Sequence, residues 1–184
     1  MSEMRKTTRH LIRQAEKMGV VIEKTNDKKH LNEFINLYKK TAHRQHFVAH
    51  KGIDEEFEQF SKENEIDLFR GIFQGKLISG ALILYYNNQA IYHHSASLPQ
   101  KVPVNYLLQW EVIKEAIKRK KTIYNFWGVS EESNKNHPWY GLSQFKRGFG
   151  GYPIEYLHAM DIPLSLIYCA TYSIETFRKW KKGY

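Results

Sequence analysis

Three β-rich segments follow one another in the middle of the 184-residue chain, over 67–73, 76–86 and 89–97. They are separated only by Gln74-Gly75 and Asn87-Asn88. Two-residue links containing Gly and Asn tolerate the positive φ that closes an antiparallel hairpin. Two hairpins in succession make a meander, and a meander is stable only with apolar cover on a face. The flanking segments supply that cover. Residues 6–18 read as a basic helix stopped by Gly19, and 20–25 alternates as a short strand. Asp27 caps a helix whose apolar stripe is Leu31, Phe34, Ile35, Tyr38 and Ala42, and a second helix covers 54–64. After the meander, Pro103 opens a helix to about Lys120 with the stripe Tyr106, Trp110, Ile113 and Ile117. A strand over 122–129, a polar loop, a helix over 141–148 and a strand over 152–161 follow. An amphipathic helix begins after Ser165, with Ile167, Ala170, Ile174 and Phe177 on its stripe.

Charge narrows the range of partners. The formal net charge is +9, and 42% of residues are hydrophobic, so the chain is a folded basic body rather than a disordered tail. Residues 1–51 hold 12 Lys and Arg against 5 Asp and Glu. Arg5, Arg9, Arg13 and Lys17 recur at i, i+4, which places four like charges on one helix face. Such a face is either simply solvated or meets an anion: nucleic acid, nucleotide or lipid head group. A single cysteine, Cys169, excludes an internal disulfide, and no CxxC pair is present for zinc. With a charged first segment and no long apolar run, a cytoplasmic location is expected, with room for work at the inner face of the membrane.

The order of elements is that of an α/β N-acyltransferase (GNAT)-like domain, with a mixed, mostly antiparallel central sheet flanked by helices. The expected division is a basic helix over 1–19, the domain over 20–164, and a C-terminal amphipathic helix over 165–184 packed on it. Acyltransferases of this type hold the pyrophosphate of acetyl-CoA on a glycine-rich turn at a helix N-terminus. Here that place is filled by residues 97–105, with Pro99 and Pro103 and no glycine. Each proline removes an N–H donor, and the side chains hold a phosphate away from the backbone.

Against that background the chain resembles the second acyltransferase-like domain of the Fem family. The resemblance is carried by Tyr124-Asn125-Phe126-Trp127-Gly128-Val129 and by Gly141-Leu142-Ser143-Gln144-Phe145-Lys146-Arg147-Gly148-Phe149-Gly150-Gly151. Thr41-Ala42-His43-Arg44-Gln45-His46-Phe47, Thr7-Thr8-Arg9 and Tyr92 add to it. It implies an aminoacyltransferase that moves an amino acid from aminoacyl-tRNA to an amine of a peptidoglycan precursor, nucleotide-linked or lipid-linked. It implies no metal and no organic cofactor, and an RNA 3′ end as donor would account for the missing pyrophosphate turn. Typical members carry two such domains and this chain carries one, so a homodimer or a partner Fem domain fits the resemblance, as does peripheral contact with the membrane.

Site residues follow from the resemblance and from their chemistry. By resemblance Lys146 stabilises the oxyanion formed when an amine attacks an ester, and Phe145 stacks on the terminal adenine. Arg147 is a phosphate contact or a helix cap. Arg44 is a phosphate ligand or a helix C-terminal cation, and Tyr92 lines the substrate channel or belongs to the core. Arg5, Arg9, Arg13 and Trp139 are candidate RNA or phosphate contacts, with Trp127 and Tyr140 nearby as aromatic surface or core. Asp161 orients an amine or simply ends a strand. His43, His46, His50, His93 and His94 raise the question of a metal. Neighbours on a regular strand point to opposite faces, so His93 and His94 should not share a site, and no carboxylate accompanies them at useful spacing. Whichever of the two faces the cleft is a candidate general base. Two rival functions remain: a small N-acyltransferase using acyl-CoA, and a non-catalytic RNA- or precursor-binding half-enzyme.

Overall fold

A computed structural model describes residues 1–157, 160–165 and 167–182. They form two compact units, Met1–Trp127 and Gly128–Tyr184. The first holds a five-stranded sheet in the order β1-β2-β3-β4-β5. The strands are β1 (Val21–Thr25), β2 (Ile66–Phe73), β3 (Lys76–Tyr86), β4 (Gln89–Ser97) and β5 (Ile123–Asn125). Pairing is antiparallel from β1 through β4, and β5 lies parallel to β4. The meander forms at the expected turns, where Gln74, Gly75 and Asn87 take φ of 50°, 74° and 48°.

Helices cover both faces. On one, α2 (Lys28–Gln45) and α3 (Ile53–Lys62) pack Leu31, Phe34, Leu37, Tyr38, Ile53 and Phe57 against Ile66, Leu68, Leu82 and Ala96. On the other, α4 (Val104–Lys118) packs Leu108, Val112 and Ala116 against Phe69, Ala81, Ile83, Tyr85 and Ala90. Successive β3 residues thus go to opposite cores, as a strand buried on both sides requires. The sheet must come close to both helix layers. A Cβ on Gly80 would stand 2.7 Å from Phe34 Cδ2, and one on Gly71 would stand 2.5 Å from Val104 Cγ2. Asp27 caps α2 through its side chain, which accepts from the Lys29 amide at 2.8 Å.

The basic helix α1 (Lys6–Lys17) buries Thr8, Ile12 and Ala15 and contacts α4. Cover on that second side changes which residues of α4 are inside. The buried set is Val104, Leu107, Leu108, Gln109, Val112 and Ala116, whereas Ile117, placed on the stripe by the sequence reading, is 64% exposed. A helix apolar on more than one side has no single stripe to read.

In the second unit α5 (Tyr140–Arg147) and α6 (Ile167–Lys182) form. The strand expected over 152–161 does not: among its described residues, 152–157 and 160–161, none is in a strand. Alternating apolar residues suit a strand, but a strand exists only with a ladder partner. For the same reason β5 is shorter than the expected 122–129. Residues 158 and 159 of the expected strand lie outside the described residues. Ile174 and Phe177 of the expected α6 stripe are exposed. Among the described residues no helix is long and apolar enough to cross a membrane.

Candidate active site

Lys146 sits in the last turn of α5 and is only 8% exposed. Its Nζ donates to the Gly128 carbonyl at 2.7 Å. Burial pulls the ammonium down to about 8, so it keeps its charge at neutral pH but is poised to lose it in mild alkali. Next to it, Arg147 Nη2 donates to the Ser130 carbonyl at 2.6 Å, while Arg147 Nη1 is buried without a hydrogen-bond partner. Ser143 Oγ accepts from the Ser130 amide at 2.9 Å and meets Ser130 Oγ at 3.0 Å. Polar contacts from three α5 residues therefore fasten the helix to the 128–130 segment, and two of the three are cations on carbonyls. Phe145 packs edge-on against Phe149, with ring centroids 5.4 Å apart. Trp139, at the N-cap of α5, is 54% exposed and stacks edge-on with His137. Lys146, Phe145, Arg147 and Trp139 are thus gathered on one short helix. The sequence reading did not foresee the Ser130–Ser143 tie, since two serines thirteen residues apart leave no spacing signal.

In the first unit, Arg44 lies in the last turn of α2 and donates from Nη2 to the Ser97 carbonyl at 2.8 Å. Thr41 Oγ1 also reaches Ser97, so the end of α2 grips the end of β4. Tyr92 lies on the opposite face, against the core under α4, with Phe126 6.2 Å away. Burial pushes its hydroxyl up. Arg44 and Tyr92 therefore do not share a face of the sheet. Arg9 and Arg13 line an open depression with Met1, Ser2, Lys6 and His10, and Arg5 is the N-cap of the same helix. Asp161 accepts the Tyr168 hydroxyl at 2.6 Å, which raises that hydroxyl to about 12.

At α4 the chain's own carbonyls occupy two of the amides a phosphate would need. The Val104 amide donates to Val102 at 2.9 Å and the Tyr106 amide to Pro103 at 3.1 Å. The Asn105 side chain is held by Ser79 Oγ at 2.5 Å. The absence of glycine noted in the sequence is thus matched by a helix start with few free donors.

One expectation is overturned. His93 and His94 share a face. The register of β4 on β3 slips between Leu82↔His94 and Ile83↔Tyr92, which leaves His93 as the extra residue of a β-bulge. A bulge sets two residues against one and breaks the alternation. The two imidazoles stand with centroids 4.0 Å apart, and a carboxylate does accompany them. Glu56, from the first turn of α3, meets His93 Nε2 at 2.6 Å and His94 Nε2 at 3.3 Å. Burial, with the neighbouring His93, lowers His94 to about 4. Glu56 escaped the sequence reading because it sits 37 residues from His93, inside an acidic turn that otherwise faces solvent.

The FemAB family profile matches residues 1–62 and 53–175. The chain belongs to the FemAB family. A lipid II:glycine glycyltransferase of Staphylococcus epidermidis is 32% identical over 99 residues, covering 50% of this FemAB chain and 23% of the relative. The crystal structure of FemX superposes with a TM-score of 0.74 at 18% identity, covering 82% of this chain and 55% of FemX. An aminoglycoside acetyltransferase from an uncultured soil metagenomic sample gives a TM-score of 0.55 at 16% identity, covering 79% of this chain and 97% of that one. The GNAT-like fold expected from the element order is the fold of this FemAB chain. The match spans about a quarter of the length of the curated relatives.

Proposed function

We propose that this FemAB chain carries an aminoacyltransferase activity of the peptidoglycan-bridge type. An amine of a precursor stem peptide attacks the ester carbonyl of an aminoacyl-tRNA. A C–N bond forms, the C–O bond to the ribose breaks, and the amine's proton ends on the leaving ribose oxygen. The negative charge that gathers on the carbonyl oxygen in between is the part a protein can stabilise best. Lys146 is assigned that task. The observation that carries the reading is a buried, fixed ammonium within the Phe-Lys-Arg-Gly-Phe-Gly-Gly segment of a FemAB chain. Relatives named for glycyl transfer to lipid II support the acceptor class. Phe145 and Trp139 offer ring faces to bases, Arg44, Tyr92 and Arg147 are proposed substrate contacts, and Arg5, Arg9 and Arg13 are proposed phosphate contacts. The proposed place of work is the cytoplasmic side of the membrane, where a lipid-linked precursor would be met. An acyl-CoA donor is disfavoured by the occupied amides at the start of α4.

The test is single-turnover transfer from a charged tRNA pool to nucleotide-linked and lipid-linked precursor, read by mass spectrometry. Wild type should form a precursor heavier by one aminoacyl residue. Lys146→Met, which keeps the stem and removes the charge, should be slower by roughly 10²–10³-fold. Equal rates in the two proteins, or no product from either, would leave a binding module.

A further inference from the structure

The geometry points to a divalent transition-metal site formed by Glu56, His93 and His94, suited to Zn²⁺ and independent of the proposed transfer reaction. Nothing in the chemistry of aminolysis calls for an ion there, and Glu56, His93 and His94 all belong to the first unit.

The donor set comes first. Two imidazole nitrogens and a carboxylate are a combination that holds Zn²⁺ with room for a water or a further ligand. The three groups each present one ligand atom, and these atoms lie within 4.8 Å of one another. With bonds of about 2.0–2.2 Å, tetrahedral ligand atoms sit roughly 3.3–3.5 Å apart. His94 Nε2 and Glu56 Oε2 are 3.3 Å apart. His93 Nε2 and Glu56 Oε1 are closer, at 2.6 Å, a hydrogen bond that an ion replaces once the side chains draw back by about 1 Å.

The second point is how the protein arrives at this set. Regular alternation would send one imidazole to each face. The bulge at His93 is what turns both to the α3 side, where Glu56 is the half-buried member of an otherwise exposed acidic turn. Both supports are fixed: β4 is paired with β3 on either side of His93, and the Glu56 amide is bonded to the Gly52 carbonyl at 2.9 Å. Third, the site is open on one side. The side chains of His93 and Glu56 are 19% and 26% exposed and that of His94 is 9%, so an ion can enter without unfolding the chain. His50 is a fourth candidate ligand, with its ring 5.3 Å from that of His94. An ion here would staple α3 to β4.

The test is calorimetric titration of Zn²⁺ into the whole chain after chelator treatment and desalting. One equivalent should bind. Glu56→Gln and His93→Gln should each weaken binding by at least about 10-fold, the smallest loss expected even for groups that only support a ligand. His137→Gln, in the second unit, should titrate as wild type. Co²⁺ gives a second readout in the unmutated protein: visible ligand-field bands of low-symmetry nitrogen and oxygen coordination should appear and saturate at one equivalent. Absence of saturable Zn²⁺ binding, absence of the Co²⁺ bands, or a Glu56→Gln variant that binds as tightly as wild type overturns the site.

Discussion

Lys146 is a cation placed where a cation is expensive. Its amine is held by a single carbonyl, and burial favours the neutral form. Two consequences run in opposite directions with pH. If the charged form stabilises the oxyanion, the single-turnover rate falls as pH rises through about 8. Stability does the reverse. Between about 8 and the ordinary 10.5 the unfolded chain keeps a proton that the folded chain has lost, so folding becomes more favourable as pH climbs through that window. Urea midpoints measured from pH 7.5 to 10 should rise in wild type and rise less in Lys146→Met. A rate that fell together with stability would point to unfolding rather than to loss of the charge. The motif that singles out Lys146 was legible in the sequence. The burial of Lys146 was not, because the carbonyl that receives it lies eighteen residues upstream.

The elements divide according to how local their causes are. The meander strands, their two turns and the Asp27 cap were all legible, since alternation, turn residues and a capping side chain act within a few residues. The α4 stripe, the length of β5 and the strand over 152–161 were not, because each depends on a neighbour remote in sequence. The bulge at His93 belongs to the same class. It is set by pairing with β3, and it changed the meaning of two adjacent histidines. Clearance between layers is a further property of elements. Gly80→Ala would put a methyl group 2.7 Å from the Phe34 ring, inside a filled core. The expected cost is roughly 1–3 kcal/mol, read as a lower urea midpoint with an unchanged slope. A midpoint within error of wild type would mean that α2 can lift away from the sheet freely.

For the whole molecule the governing quantity is the segregated positive charge. The formal charge is +9, and α1 with its N-cap concentrates Arg5, Lys6, Arg9, Arg13 and Lys17 within thirteen residues. Three phosphate contacts on a single-stranded RNA, from Arg5, Arg9 and Arg13, imply an affinity that drops roughly 20-fold between 50 and 200 mM salt. Filter binding or fluorescence anisotropy with a short single-stranded RNA would measure it, and Arg9→Glu with Arg13→Glu should flatten the dependence. A flat response in wild type would assign the basic face to some other anion. The fold at this scale was legible in the order of elements, while the split into two compact units was not.

Tyr152, Ile154, Tyr156, Leu157, Met160, Ile162 and Leu164 are each more than half exposed. So much bare hydrocarbon on one stretch sets a ceiling on how concentrated the protein can be kept before molecules clump.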